Sequence, residues 1–272
     1  MPGSPTDDAA DRVRRAYEKT QSLDIAEVPA SGEELADLAR NWQADELPGL
    51  QRTIADLQLA NLAQGIVDPV FAALATALKA VDLPSFSLLD AACATGYYGE
   101  VIHSLDPRDI TYSGCDYSPA MIESARAYYP DVPFSVQDLT ALTHPDRSFD
   151  VVLLSGVLEH IPDYRRAIER SSRVADRYLI VHRCPTTSGP THERTIGTQY
   201  NIRTPRTFFS LGLLKSEFSD TGFELVRSVE VYPRPGGWRR RLRRMAGRRL
   251  KGREQRGTLT LVFRRREASG RP

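Results

Sequence analysis

The sequence predicts an α/β fold: a Rossmann-like, seven-stranded, mostly parallel sheet with helices on both faces and an N-terminal helical lid. Three observations carry this expectation. Short apolar runs recur with helical segments between them, the alternation of a parallel sheet covered by crossover helices. Three of these runs end in an aspartate, at Asp90, Asp116 and Asp138. The first opens into small residues, Leu88-Leu-Asp-Ala-Ala-Cys-Ala-Thr-Gly96, which let the backbone turn tightly into a helix near Tyr97.

Taken in order, residues 1–30 read as a disordered or weakly helical tail, with a short helix over Val13–Tyr17. Residues 31–83 read as the lid. Ser31 with Glu34 three residues on forms a capping box for a helix running to Trp42, a second helical pattern follows Pro48, and a third covers Asp68 to Val81. Trp42, Gln51, Arg52 and Gln58 are its candidate cavity residues, against a plain reading as packed or solvated helix positions. The domain proper spans 84–272. Its first strand carries Phe86, Leu88 and Leu89; its second, Ile110 to Cys115, ends in Asp116, and Ser118-Pro119 caps the next helix. A third strand, Val132 to Gln137, delivers Asp138, and a fourth, Phe149 to Leu154, leads into Ser155-Gly-Val-Leu-Glu-His160. After a helix over Tyr164–Ala175, a fifth strand at Tyr178–Val181 ends at His182. Residues 186–206 read as a long polar loop leaving the carboxyl edge of the sheet, where doubly wound folds bind ligands, followed by a helix from about Thr207 to Asp220. Phe223–Val231 and Thr258–Phe263 are the last two strands.

Composition narrows the function classes. With 41% hydrophobic and 26% charged residues, the chain has the make-up of an ordinary soluble domain. The start is polar and acidic rather than a secretory signal, and no apolar run approaches the length of a membrane span, so a cytoplasmic location is expected. Cys93, Cys115 and Cys184 form no C-x-x-C pair, which suggests neither a disulfide framework nor a zinc site. The net charge of +1 conceals a division: residues 234–272 hold 15 Lys and Arg against 2 Asp and Glu, leaving 21 basic and 33 acidic residues before them. Within the basic insertion 234–256, Trp238, Leu242, Met245 and Ala246 share one helical face among arginines over 237–251. This is the pattern of a helix lying peripherally on the inner membrane surface; a solvated hairpin is the plain alternative, and an RNA-binding arm the less favoured one.

Asp116 at a strand end suits a ribose diol, and Asp138 with Leu139 beside it suits an adenine ring. At this point the chain resembles the class I S-adenosylmethionine-dependent methyltransferases, in the small-molecule, type 11/12-like branch whose fourth strand is often followed by V-L-E-H. The resemblance covers roughly residues 84–265. It implies that Asp90, Ala92, Ala94 and Gly96 wrap the methionine and ribose part of S-adenosylmethionine, with Asp116, Tyr117, Met121, Asp138, Leu139, Ser155 and Gly156 completing the cofactor site. The family pattern carries glycine where this chain has Ala92 or Ala94, and alanine adopts left-handed backbone only at a cost.

Methyl transfer to a hydroxyl benefits from a general base, and His160, His182 and Glu159 are the candidates; the competing reading of His160 is a loop histidine bonded to backbone. His192, Arg194, Tyr200 and Arg203 in the 186–206 insertion are candidate acceptor contacts, the arginines for a phosphate or carboxylate. Some family members bind a divalent metal through Glu-x-x-Glu-His, but Gly156 stands where the first Glu belongs, so no metal ligands are assigned. The expected activity is methyl transfer from S-adenosylmethionine to a small or medium acceptor: a sugar, lipid-linked saccharide or secondary metabolite. An RNA methyltransferase using the basic segment, or a non-catalytic scaffold on the same fold, are the alternatives.

Overall fold

The computed structural model describes residues 31–232 and 256–267. The tail 1–30 and all but the last residue of the basic insertion 234–256, including the amphipathic pattern at 237–251, lie outside the described residues.

Among the described residues, three α-helices precede the sheet: α1 (Gly32–Arg40), α2 (Leu47–Ala63) and α3 (Pro69–Leu78). Their starts follow from local chemistry. The Ser31 hydroxyl accepts from the Glu34 amide, Asp68 caps α3 from its side chain, and α2 and α3 carry proline in their first turn, where a missing N–H costs nothing. The sheet then alternates with helices: β1 (Ser85–Ala91), α4 (Tyr98–Leu105), β2 (Asp109–Asp116), α5 (Pro119–Tyr128), β3 (Phe134–Val136), β4 (Phe149–Ser155), α6 (Tyr164–Val174), β5 (Ala175–Thr187), a hairpin of β6 (Glu193–Gln199) and β7 (Ile202–Ser210), α7 (Leu211–Asp220), β8 (Phe223–Glu230) and β9 (Arg256–Arg265).

Strands β3, β2, β1, β4 and β5 are parallel neighbours in that order; β9 runs antiparallel between β5 and β8. These seven strands are the expected sheet. The other two, β6 and β7, correct the reading of 186–206 as an irregular loop. Strand β5 outruns β4 by several residues, and its extension pairs Thr186 and Thr187 with Phe209 and Ser210 of β7. The segment looked loop-like because threonine is polar, yet threonine is β-branched and favours strands. Tyr200 and Asn201 close the hairpin with φ of 49° and 63°, the two positive values of a type I′ turn. The following helix accordingly begins at Leu211.

Successive strand residues divide between the two faces. Leu88, Val151, Leu153 and Ile180 pack with α3, α4 and α5, whereas Leu89, Val152, Leu154, Leu179 and Val181 pack with α6 and α7. A smaller cluster of Leu47, Ile54, Met121 and Tyr200, with Trp42 and Ala94 against it, joins the N-terminal helices to the carboxyl edge of the sheet and to the hairpin.

Gly114 marks tight packing near that edge. A Cβ there would lie 2.7 Å from Cys93 Sγ and 2.8 Å from the Phe134 ring, side chains fixed in the core. Gly114→Ala is expected to lower stability by about 1–3 kcal/mol, read as a shift of the urea midpoint with an unchanged slope.

Candidate active site

The carboxyl ends of β1, β2, β3, β4 and β5 converge on a cavity of about 380 Å³ roofed by α1, Trp42 and α2 and walled by the hairpin. Its near side is the turn after β1. The Ala92 and Cys93 amides both donate to the Cys115 carbonyl, at 2.7 and 2.9 Å, and the Ala94 amide donates to the Asp116 carboxylate at 3.0 Å. Held in this way, Ala92 and Ala94 adopt φ of 73° and 49°, values glycine takes freely and alanine takes at a cost of roughly 1 kcal/mol each. The other Asp116 oxygen accepts from the Ser118 amide at 2.9 Å, and burial raises its pKa to about 6. Asp90 lies deeper, one oxygen bonded to the Tyr112 hydroxyl at 2.7 Å and the other without a partner; burial raises it to about 7. Asp138 and Leu139 complete this side, Asp138 accepting from the Thr140 amide and hydroxyl.

The far side centres on His160. Its Nδ1 lies 2.9 Å from the Pro205 carbonyl of β7, so Nδ1 carries the proton and donates, which leaves Nε2 with the lone pair. Nε2 stands 3.8 Å from Glu159 Oε1. Burial, with Arg206 and Arg183 nearby, lowers His160 to about 3. Trp42 packs on the imidazole at 4.8 Å between ring centres and donates to Thr204 Oγ1 at 2.7 Å. Arg183 arrives from β5 with φ of 58°, at a break in the β5–β9 register between Val181 and Cys184.

Among the described residues, six non-glycine positions have positive φ, and four of them, Ala92, Ala94, Arg183 and Tyr200, line this cavity. Such backbone persists only where its surroundings over-determine it, and it concentrates where ligands bind.

Of the residues expected from sequence, Ala92, Ala94, Asp116, Tyr117, Met121, Asp138, Leu139, Ser155, Gly156, His160 and Tyr200 line the cavity. The rest stand elsewhere. Gly96 turns the backbone behind it, where a Cβ would meet the Phe134 ring at 2.6 Å. His182 is fully buried against Thr260 and is held neutral by that burial, off the cavity wall; the strand-end position invited a base there, but the alternation of β5 points it into the core. Glu159 is also buried off the wall, its pKa raised by burial. His192 packs between Tyr164 and Phe209 and accepts from the Ser210 amide, Arg194 donates to the Pro162 carbonyl, and Arg203 presents its carbonyl to Asn41. These three brace the hairpin. In the lid, Trp42 and Gln51 reach the cavity, Gln51 accepting from the Thr95 amide at 3.0 Å, whereas Arg52 pairs with Asp56 and Gln58 with Asp68. Sequence reasoning missed Arg183, Gln199, Ala36, Ala39 and Arg40. For Arg183 its place at the end of a buried strand was a usable signal.

Comparison with known proteins bears on this arrangement. Residues 89–177 match the family model of the methyltransferase domain. A Mycolicibacterium smegmatis protein named "Probable S-adenosylmethionine-dependent methyltransferase" is 36% identical over 87 residues, 32% of this chain and 33% of that one. The 27-O-demethylrifamycin SV methyltransferase of Amycolatopsis mediterranei is 36% identical over 93 residues, 32% and 34% of the two chains. The chain thus spans about a third of the length of these curated relatives. In overall fold it is similar to the 1,6-didemethyltoxoflavin-N1-methyltransferase of Burkholderia thailandensis, with a TM-score of 0.58 at 18% identity over 91% of this chain and 96% of that one.

The buried acids set a pH dependence. Unfolding returns Asp90 from about 7 to the ordinary carboxylate value of 3.8. The folded chain therefore holds a proton the unfolded chain releases between these values, and the stability this contributes is complete below about pH 4 and lost as pH rises through about 7. Stability is expected to fall between about pH 4 and 7, by on the order of a few kcal/mol at most. Asp90→Asn, which keeps an acceptor for Tyr112, should flatten that slope in denaturant titrations run at several pH values.

Proposed function

We propose that this chain, whose residues 89–177 match the methyltransferase-domain family model, moves a methyl group from S-adenosylmethionine to a small organic acceptor held under its N-terminal helices. The observation that carries this reading is the single cavity that joins the β1 turn, Asp116 and Asp138–Leu139 to Trp42, His160, Arg183 and Tyr200.

The residues present fit the cofactor. Ala92 and Ala94 follow the left-handed path that the family's glycines give, so their methyl groups do not divert the turn from the cavity. Asp116, ionised above about pH 6, would accept from the ribose hydroxyls; Asp138 would accept from the adenine amino group and Leu139 would cover the ring. When bound, S-adenosylmethionine supplies a methyl group on a sulfonium, and transfer is an in-line displacement that needs no covalent bond to the protein.

The protein's own contribution is orientation and the exclusion of water. Trp42 and Gln51 close the roof through Thr204 and Thr95, and Tyr117 donates to the Ala39 carbonyl at 2.5 Å, tying α1 to the end of β2. His160 offers a fixed lone pair as a hydrogen-bond acceptor; at about 3 it has little proton affinity at neutral pH, which reduces the expected base to a positioning group. The acceptor would lie at the end of the cavity enclosed by Trp42, His160, Arg183 and Tyr200, which suits a small organic molecule. The relatives named for rifamycin and toxoflavin substrates support that scale. A lipid-borne acceptor rested on residues 237–251, which lie outside the described residues.

Calorimetric titration with S-adenosylhomocysteine tests the reading. Micromolar binding to the wild type that weakens by roughly 30-fold or more in Asp116→Ala is expected; a wild type that binds neither this compound nor S-adenosylmethionine overturns it.

A further inference from the structure

Resting on the methyl-transfer reading, we propose that the acceptor is an organic carboxylate, bound as its anion by the Arg183 guanidinium and converted to a methyl ester.

The backbone goes out of its way to deliver this cation. Along β5, Val181 packs on one face of the sheet and His182 faces the other, but Cys184 returns to the face of Val181. Arg183 is therefore the additional residue of a β-bulge, in left-handed conformation, where the β5–β9 register breaks. Bulges of this kind re-aim a side chain beside a site. The guanidinium lies over Gly156 at the cavity wall: a Cβ on Gly156 would stand 2.6 Å from Arg183 Nη2 and 3.0 Å from Cζ. Gly156, itself at φ of 59°, leaves the space the guanidinium fills. Tyr98 supports the group from below, 5.9 Å from ring centre to Cζ, and Nη2 reaches the Ser155 carbonyl at 3.5 Å. Beside it the buried Ser155 hydroxyl, also on the cavity wall, pairs with the Tyr98 hydroxyl beneath the guanidinium. A planar guanidinium at the cavity wall is matched to the two oxygens of a carboxylate.

The proton balance agrees with this geometry. An alcohol must lose a proton as it is methylated, but the imidazole on the wall is buried and its protonated form disfavoured, and the other nearby imidazole, His182, faces the core. A carboxylate arrives without that proton. One of its oxygens gives an electron pair to the methyl carbon as the carbon–sulfur bond breaks with its pair left on sulfur; the negative and positive charges end as a neutral ester and a neutral thioether, and no proton moves. Arg183 would hold the second oxygen and leave the first free to attack.

The test uses the full chain and S-adenosylmethionine labelled with tritium in the methyl group. The probes are small mono-, di- and tricarboxylic acids, each paired with its primary amide and alcohol. Methyl esters release volatile methanol in alkali, whereas methyl ethers and N-methyl products do not. The expected result is label on acids alone, volatile after alkali. In Arg183→Gln the KM for the acid should rise roughly 10- to 100-fold, with partial recovery in Arg183→Lys, and S-adenosylhomocysteine affinity by calorimetry should change less than about threefold. Alkali-stable label on the alcohols or amides overturns the proposal, and so does the absence of label on every acid in a wild type that binds S-adenosylhomocysteine. Loss of S-adenosylhomocysteine binding in Arg183→Gln also overturns it, by assigning Arg183 to the cofactor's own carboxylate. Failure of the wild type to bind S-adenosylhomocysteine removes the methyl-transfer reading, and this one with it. Thermal melts of both variants separate a lost contact from a lost fold, and the ester chemistry of the wild type needs no variant.

Discussion

The end of β2 is the anchor on which the site depends. The Cys115 carbonyl takes two amides of the β1 turn and the Asp116 carboxylate takes a third, so the turn is fastened to the neighbouring strand rather than to its own helix. This fastening sustains left-handed backbone at two alanines, a conformation that local preference alone opposes. Asp116 has a double duty, because its second oxygen holds the Ser118 amide at the start of α5. Two N–H donors offset part of the cost of burying it, and what remains uncompensated lifts its pKa to about 6. The turn, the helix start and the carboxylate thus rise or fall together.

On the opposite wall the same exchange of comfort for position recurs. His160 gives up basicity to a buried site and gains a fixed tautomer from the Pro205 carbonyl. The contacts that frame it are remote in sequence: Trp42 to Thr204, and Asn41 to the Arg203 carbonyl, each 162 residues apart. The lid and the β6–β7 hairpin therefore support each other across the cavity, and neither is explicable without the other. Tyr200, bent into a left-handed turn, packs edge-on to Trp42 at 6.0 Å and closes the contact.

The sheet and the cofactor side of the cavity were legible because they are written locally. Asp116 and Asp138 stand at the ends of apolar runs, Ser118-Pro119 announces a helix, and a small-residue turn follows β1; each signal lies within a few residues of the feature it specifies. The acceptor side was legible only in part. His160 and Tyr200 line the cavity, but the threonine-rich hairpin hid its strands behind polar composition. The histidines at 182 and 192 looked alike as strand-edge or loop residues until pairing turned one into the core and wedged the other between aromatic rings. Arg183 was missed because a bulge reverses the alternation that sequence periodicity assumes.

Strand order then gives the cavity its polarity. Asp116 ends β2 and Asp138 follows β3, whereas Arg183 stands at the bulge within β5, and β1 and β4 lie between β2 and β5. At a strand spacing of about 4.8 Å, three intervals put roughly 14 Å between the backbones of β2 and β5, and the Arg183 guanidinium reaches back over Gly156 at the end of β4. The acidic end cannot drift toward the basic end, because the sheet's hydrogen bonds hold both at fixed register. Between them, at the mouth of β4, stand Ser155, Gly156 and a histidine kept neutral. A charged imidazole there would repel Arg183 and any cation brought to the middle of the cavity. Burial of His160 removes that charge, so the loss of a base and the compatibility of the two ends have one physical cause.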